Sequence, residues 1–127
     1  MRKSDMITYK VPVRRFGEYH QEETKGYCWY TEKDGETYAF MIRKNGKGYE
    51  VDEYGTGLKV GGNYSSINIA ATNIAWMIKY HDLLGTVKRT HQIKRLRDGE
   101  LLNPGDPVAA FRACCYKVPD LEEGEKG

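Results

Sequence analysis

Three runs decide how this chain folds: Tyr27-Cys28-Trp29-Tyr30-Thr31, Thr37-Tyr38-Ala39-Phe40-Met41-Ile42-Arg43 and Tyr49-Glu50-Val51-Asp52-Glu53. Asp34-Gly35 lies between the first two, and Asn45-Gly46 lies in the connection between the last two. The runs are β-branched and aromatic, and Asp-Gly and Asn-Gly supply the positive φ angles of tight hairpins. Together they predict a three-stranded antiparallel meander. On its middle strand Tyr38, Phe40 and Ile42 share one face and Ala39, Met41 and Arg43 the other, and the first face is the better core candidate.

Upstream, Ile7-Thr8-Tyr9-Lys10-Val11-Pro12-Val13-Arg14-Arg15 alternates like a strand, and Pro12, lacking an N–H, assigns it to an edge. The polar stretch from Gly17 to Gly26 is expected as a loop. Downstream, Gly55 to Gly62 is glycine-rich, with room for a short strand at Leu58 to Val60. Ser65 or Ser66 then caps a helix from about Ile67 to Leu84, stopped by Gly85 and about 27 Å long. Its polar stripe is narrow, so it carries more apolar circumference than one sheet can cover; Ile69, Trp76, Tyr80 and Leu83 extend the apolar side and are the candidate interface. Thr86 to Leu96 is expected as an edge strand. Asp106 and Pro107 mark a short C-terminal helix through Val108, Phe111 and Cys115, with a strand through Cys114 to Val118 as the alternative. The fold class is therefore α+β: an antiparallel meander sheet packed on one long helix, with a short C-terminal helix.

Composition bounds the rest. At 127 residues, residues 1–119 are expected to form a single domain, followed by an acidic disordered tail over 120–127. A charged fraction of 30% and a mean hydropathy of −0.72 argue against a membrane protein. The opening Met1-Arg2-Lys3-Ser4-Asp5-Met6 has no apolar run behind its charges, so a cytoplasmic location is the expectation. Three cysteines, two of them adjacent, do not make a disulfide framework, so the thiols are expected to be reduced and mostly buried.

Chemistry is sparse. His20, His81 and His91 are isolated, with no metal-ligand spacing, and neither a metal, a cofactor nor a catalytic set is expected. The glycine-rich approach to the long helix is a candidate phosphate or nucleotide site: Gly57, Gly61 and Gly62 would offer backbone N–H groups, Lys59 a charge, and Tyr64, Ser65 and Ser66 the helix N-terminus, with Arg89 and Arg95 as clamps. Its spacing matches neither the Rossmann pattern nor the P-loop. Lys88, Arg89, His91, Lys94, Arg95 and Arg97 form a basic run without an acid, able to attract nucleic acid, with Trp29, Tyr30 and Tyr38 as stacking platforms. The net charge of only +2 permits such a partner without demanding one. The leading expectation is a non-enzymatic binding protein that occupies a macromolecular partner and forms a homodimer.

Overall fold

A computed structural model describes residues 2–121. Its elements run β1 (Met6–Arg15), β2 (Glu18–Lys33), β3 (Glu36–Asn45), β4 (Gly48–Glu53), β5 (Lys59–Tyr64), α1 (Ile67–Tyr80), α2 (Leu83–Asp98), α3 (Pro107–Phe111) and β6 (Cys115–Lys117). Strands β1 to β5 form an antiparallel meander in sequence order, and β6 joins β2 in parallel. The α+β class and its meander sheet are as the sequence reading has them, and α3 is capped by the Asp106 side chain with Pro107 at its first position.

The hairpin turns follow the chemistry of their residues. Asp34 and Gly35 both take positive φ (53° and 78°), and between β3 and β4 Gly46 takes φ 61°. Of the stretch expected as a loop, Gly17 to Gly26, all but Gly17 in the turn is instead the first half of β2. It pairs residue for residue with β1 from Met6↔Tyr27 to Arg15↔Glu18. Its polarity reflects exposure rather than irregularity. β2 pairs with β3 only from Tyr27 onward, so residues before Gly26 and the partner β1 form a two-stranded arm. Gly26 permits the crossing, since a Cβ there would lie 3.0 Å from the Ile42 carbonyl oxygen and 3.4 Å from the Tyr9 ring.

Both faces of the sheet are buried. Trp29, Tyr38, Phe40, Ile42 and Val51 pack against Ala70, Ala71, Ile74 and Ala75 of α1 and Leu83, Leu84 and Val87 of α2. The opposite face, with Cys28, Tyr30, Ala39 and Met41, is covered by Ile7 and Tyr9 of β1 and Val108 of α3. The expected preference for one core face is thus only half of the arrangement.

The single long helix is two helices. Asp82, in the left-handed conformation (φ 49°), separates them, and Gly85 lies within the first turn of α2 rather than ending α1. The edge strand expected over Thr86 to Leu96 is helical. Leu83, Leu84 and Val87 recur at helical spacing on the buried side, and Gly99 (φ 86°) ends α2 with its N–H donating to the Arg95 carbonyl. The second half of the glycine-rich stretch enters the bulged strand β5, which starts at Lys59 and is longer than the segment expected at Leu58 to Val60. The two readings of residues 108–118 are each partly realised, a helix first and then a strand. Of the acidic segment 120–127, residues 122–127 lie outside the described residues.

A polar network ties the arm to the sheet. The Tyr9 hydroxyl donates to Asp52 Oδ2 at 2.6 Å, Arg43 Nε donates to the same oxygen at 2.7 Å, and Arg43 Nη2 reaches Glu50 at 2.7 Å. Burial first, then the Asp52 charge, push the Tyr9 hydroxyl far above its ordinary ionisation range. An unfolded tyrosine loses its proton near pH 10 whereas this one keeps it, so the unfolded state binds fewer protons above that pH. Stability is therefore fully present below about pH 10 and falls as the pH rises further, by about 1.4 kcal/mol per pH unit from this group. Tyr116 acts in the same direction: its hydrogen bond to Asp5, at 2.6 Å, and burial raise it to about 12. Urea midpoints measured from about pH 9 to 11 should drop in the wild type and drop less in Tyr9→Phe; parallel profiles would contradict this origin.

Candidate functional site

Four places on the molecule gather exposed or chemically active side chains. The first is the outer face of α1. Its inner face is made of small residues, Ala70, Ala71 and Ala75 around Ile74, which lets the helix lie close to the sheet. Ile69 (51% exposed) and Tyr80 (53%) stand outside that contact, with Trp76 half-buried against Tyr80 at a ring separation of 5.5 Å. Asn68, Ile69, Thr72, Asn73 and Trp76 line a shallow groove of about 500 Å³. Leu83, expected beside them, is turned into the main core, because the Asp82 turn redirects the chain inward.

The second is a cleft of about 410 Å³ between α2, the end of β4 and residues 105–107. Glu53 is buried at its floor. Its Oε2 accepts the Gly55 N–H at 2.7 Å, and its Oε1 accepts the Thr56 N–H at 3.0 Å, the Thr56 hydroxyl at 2.9 Å and His91 Nε2 at 2.8 Å. Lys88 precedes His91, and Gln92 and Arg95 follow it, along the cleft wall at helical spacing. A carboxylate with four donors stabilises the turn after β4 and pins α2 to it. The sequence did not mark the Glu53–His91 pair, since its members are 38 residues apart.

The third is the glycine-rich segment. Gly57 (φ 69°) lies against β1, where a Cβ would meet the Lys10 carbonyl oxygen, and Gly61 lies beneath the Tyr64 ring. The Tyr64 hydroxyl donates to Asn73. Lys59 Nζ extends over Gly62 to Glu50 at 3.0 Å. Burial works to raise Glu50, but the Asn45 amide, Lys59 and Arg43 outweigh it and hold the carboxyl below its usual range. Ser66 caps α1 by accepting the Ile69 N–H at 3.1 Å, and Ser65 is exposed beside it. Lys59, Tyr64 and Ser66 thus have partners within the fold, and Gly57, Gly61 and Gly62 serve close packing. Neither Gly57, Lys59, Gly61, Gly62, Tyr64, Ser65 nor Ser66 lines the cleft that holds Arg95, and Arg89 lies 3.7 Å from Asp82 at the other end of α2.

The fourth is the β1–β2 arm with the C-terminal half of α2. The aromatics expected as stacking platforms, Trp29, Tyr30 and Tyr38, are buried between sheet and covering elements. The exposed rings are Phe16, fully accessible at the hairpin turn, and Tyr19 (71%), with the Arg14 guanidinium 4.5 Å above the Tyr19 ring. A groove of about 700 Å³ separates this arm from Lys94, Arg97 and Leu101.

The cysteines are free. Burial first and the adjoining Cys115 second push the Cys28 thiol well up, which suppresses thiolate chemistry there. Among the described residues no cluster of three or more His, Cys, Asp or Glu is arranged to hold a metal ion, and no helix is long and apolar enough to cross a membrane. The chain matches no protein-family model, no curated protein and no solved structure.

Proposed function

We propose that this chain is a non-catalytic binding protein that works by occupying a macromolecular partner through the outer face of α1, and that the first such partner is a second copy of itself. The observation that carries the reading is the uncovered stripe Ile69–Trp76–Tyr80 beside its groove. Two-fold pairing presents the same stripe from both copies, so each exposed side chain is buried twice in one contact. Burying the still-exposed half of Ile69, Trp76 and Tyr80 yields about 1 kcal/mol per side chain, counted from both copies, and works against the cost of association. The polar atoms of Asn68, Thr72 and Asn73 line the groove and set the register of the contact.

Sedimentation velocity across the micromolar range should show the mass rising from one chain to two. Ile69→Asp combined with Trp76→Ala should hold it at one chain, with a melting temperature independent of concentration. A wild-type chain that stays monomeric at the highest concentration would count decisively against self-association through this face.

A further inference from the structure

The arm ends in a residue that does not suit its turn. Phe16 takes φ 53° and Gly17 φ 80°, the same pair of left-handed positions that Asp34 and Gly35 occupy in the next hairpin. Aspartate and asparagine tolerate that conformation, whereas a bulky ring is strained in it. The ring also contacts water on all sides. Local stability would favour Asn-Gly here, so the aromatic serves something outside the fold.

The surroundings say what kind of partner fits. Arg14 and Tyr19 are cross-strand neighbours, and the next pairs along the same face are Pro12↔Gln21 and Lys10↔Glu23. Lys10, Tyr19 and Gln21 form one wall of the groove, and Lys94 and Arg97 of α2 form the other. Asp98 and Glu100 also line it, and Asp98 is engaged by Arg97 at 3.3 Å. Lys10, Arg14 and Lys94 make no ion pair among the described residues. The result is a concave, ~700 Å³ channel with cations on both walls and the exposed Tyr19 ring in its lining, and the exposed Phe16 ring stands at the hairpin turn of the same arm.

We infer that this channel binds single-stranded nucleic acid, its phosphates tracking Lys10, Arg14, Lys94 and Arg97 and its bases stacking on Tyr19 and Phe16. Every base has a π face, so exposed rings accept any sequence, but only unpaired bases present that face. A duplex keeps its bases stacked, and a membrane surface is flat and would leave the channel empty.

The test uses the full chain and a fluorescein-labelled oligothymidylate of about 12 nucleotides, read by anisotropy. With three or four phosphates engaged, affinity should fall roughly 15- to 60-fold between about 50 and 200 mM salt. Tyr19→Ala should weaken binding about 5- to 150-fold, Tyr19→Trp should retain it, and Lys94→Glu with Arg97→Glu should remove it. Phe16→Asn separates function from folding: it relieves the strained turn and should raise the melting temperature while weakening the oligonucleotide. The proposal is overturned by no binding at low salt, by equal affinity for a duplex of the same length, by indifference to Tyr19→Ala, or by capture on phosphatidylserine vesicles with no affinity for the oligonucleotide.

Discussion

Asp52→Ala is expected to destabilise the protein by about 3–5 kcal/mol, a large part of what a domain of this size possesses. Asp52 is 1% exposed, and its Oδ2 accepts from both Tyr9 and Arg43. Removing it leaves a phenol without a partner and a guanidinium, itself largely buried, with only Glu50 to balance it. The desolvation of both groups remains while the compensation is gone. Because Tyr9 belongs to β1 and Asp52 to β4, the loss falls on the contact that holds the arm across the sheet. Urea denaturation measures it as a lower midpoint. Asp52→Asn, which keeps an acceptor but no charge, should fall between wild type and alanine. A shift below about 1 kcal/mol for alanine would mean that the network is solvated and that the arm is held by other contacts, the packing of Ile7 and Tyr9 and the Asn103 bonds to the Lys10 backbone.

Gly57→Ala is the second large effect, at about 2–4 kcal/mol. Two costs combine there. The residue has φ 69°, and its added methyl would collide with the Lys10 carbonyl oxygen, a backbone atom that cannot swing aside. Gly35→Ala is the built-in control: its φ is 78°, but nothing lies within 4 Å of the new methyl, so only the conformational term of about 1 kcal/mol applies. The comparison bears on function as well as stability. If Gly57 serves packing, its substitution lowers the melting point with no ligand present. Equal melting points for the two variants would return Gly57 to the phosphate reading.

The parts of the fold legible in the sequence are those where local chemistry and tertiary demand coincide. Asp34-Gly35 and Asn45-Gly46 specify hairpins by themselves, and Asp106-Pro107 specifies a helix start. The misread segments are those where long-range contacts decide. Gly17 to Gly26 looks like a loop because its strand faces water on much of its surface, and only pairing with β1 makes it regular. Thr86 to Leu96 carries β-branched residues and cations that suggest an edge strand, yet Leu83, Leu84 and Val87 belong to the α1 core and impose the helical period. Glycine clustering suggested a ligand loop, whereas a strand lying close beneath Tyr64 and Lys59 needs glycine for space. Helical periodicity puts Ile69, Trp76 and Tyr80 on the side of α1 away from Ala70, Ala71 and Ile74, but it also includes Leu83, which the turn at Asp82 carries into the core. Phe16 and Tyr19 were not, since their exposure together depends on a hairpin the sequence did not reveal.

The parallel pairing of β6 with β2 has a consequence for the chain as it leaves the ribosome. Cys28 to Tyr30 wait for Cys115 to Lys117, and the Val118 N–H bonds the Tyr30 carbonyl at 2.9 Å. Everything up to Lys117 must be synthesised before that flank of the sheet is filled. Until then an apolar strand edge stays open, a stretch on which a nascent chain can aggregate or be held by a chaperone. Synthesis stalled just short of Cys115 would release a product with all five strands of the meander and no way to close them.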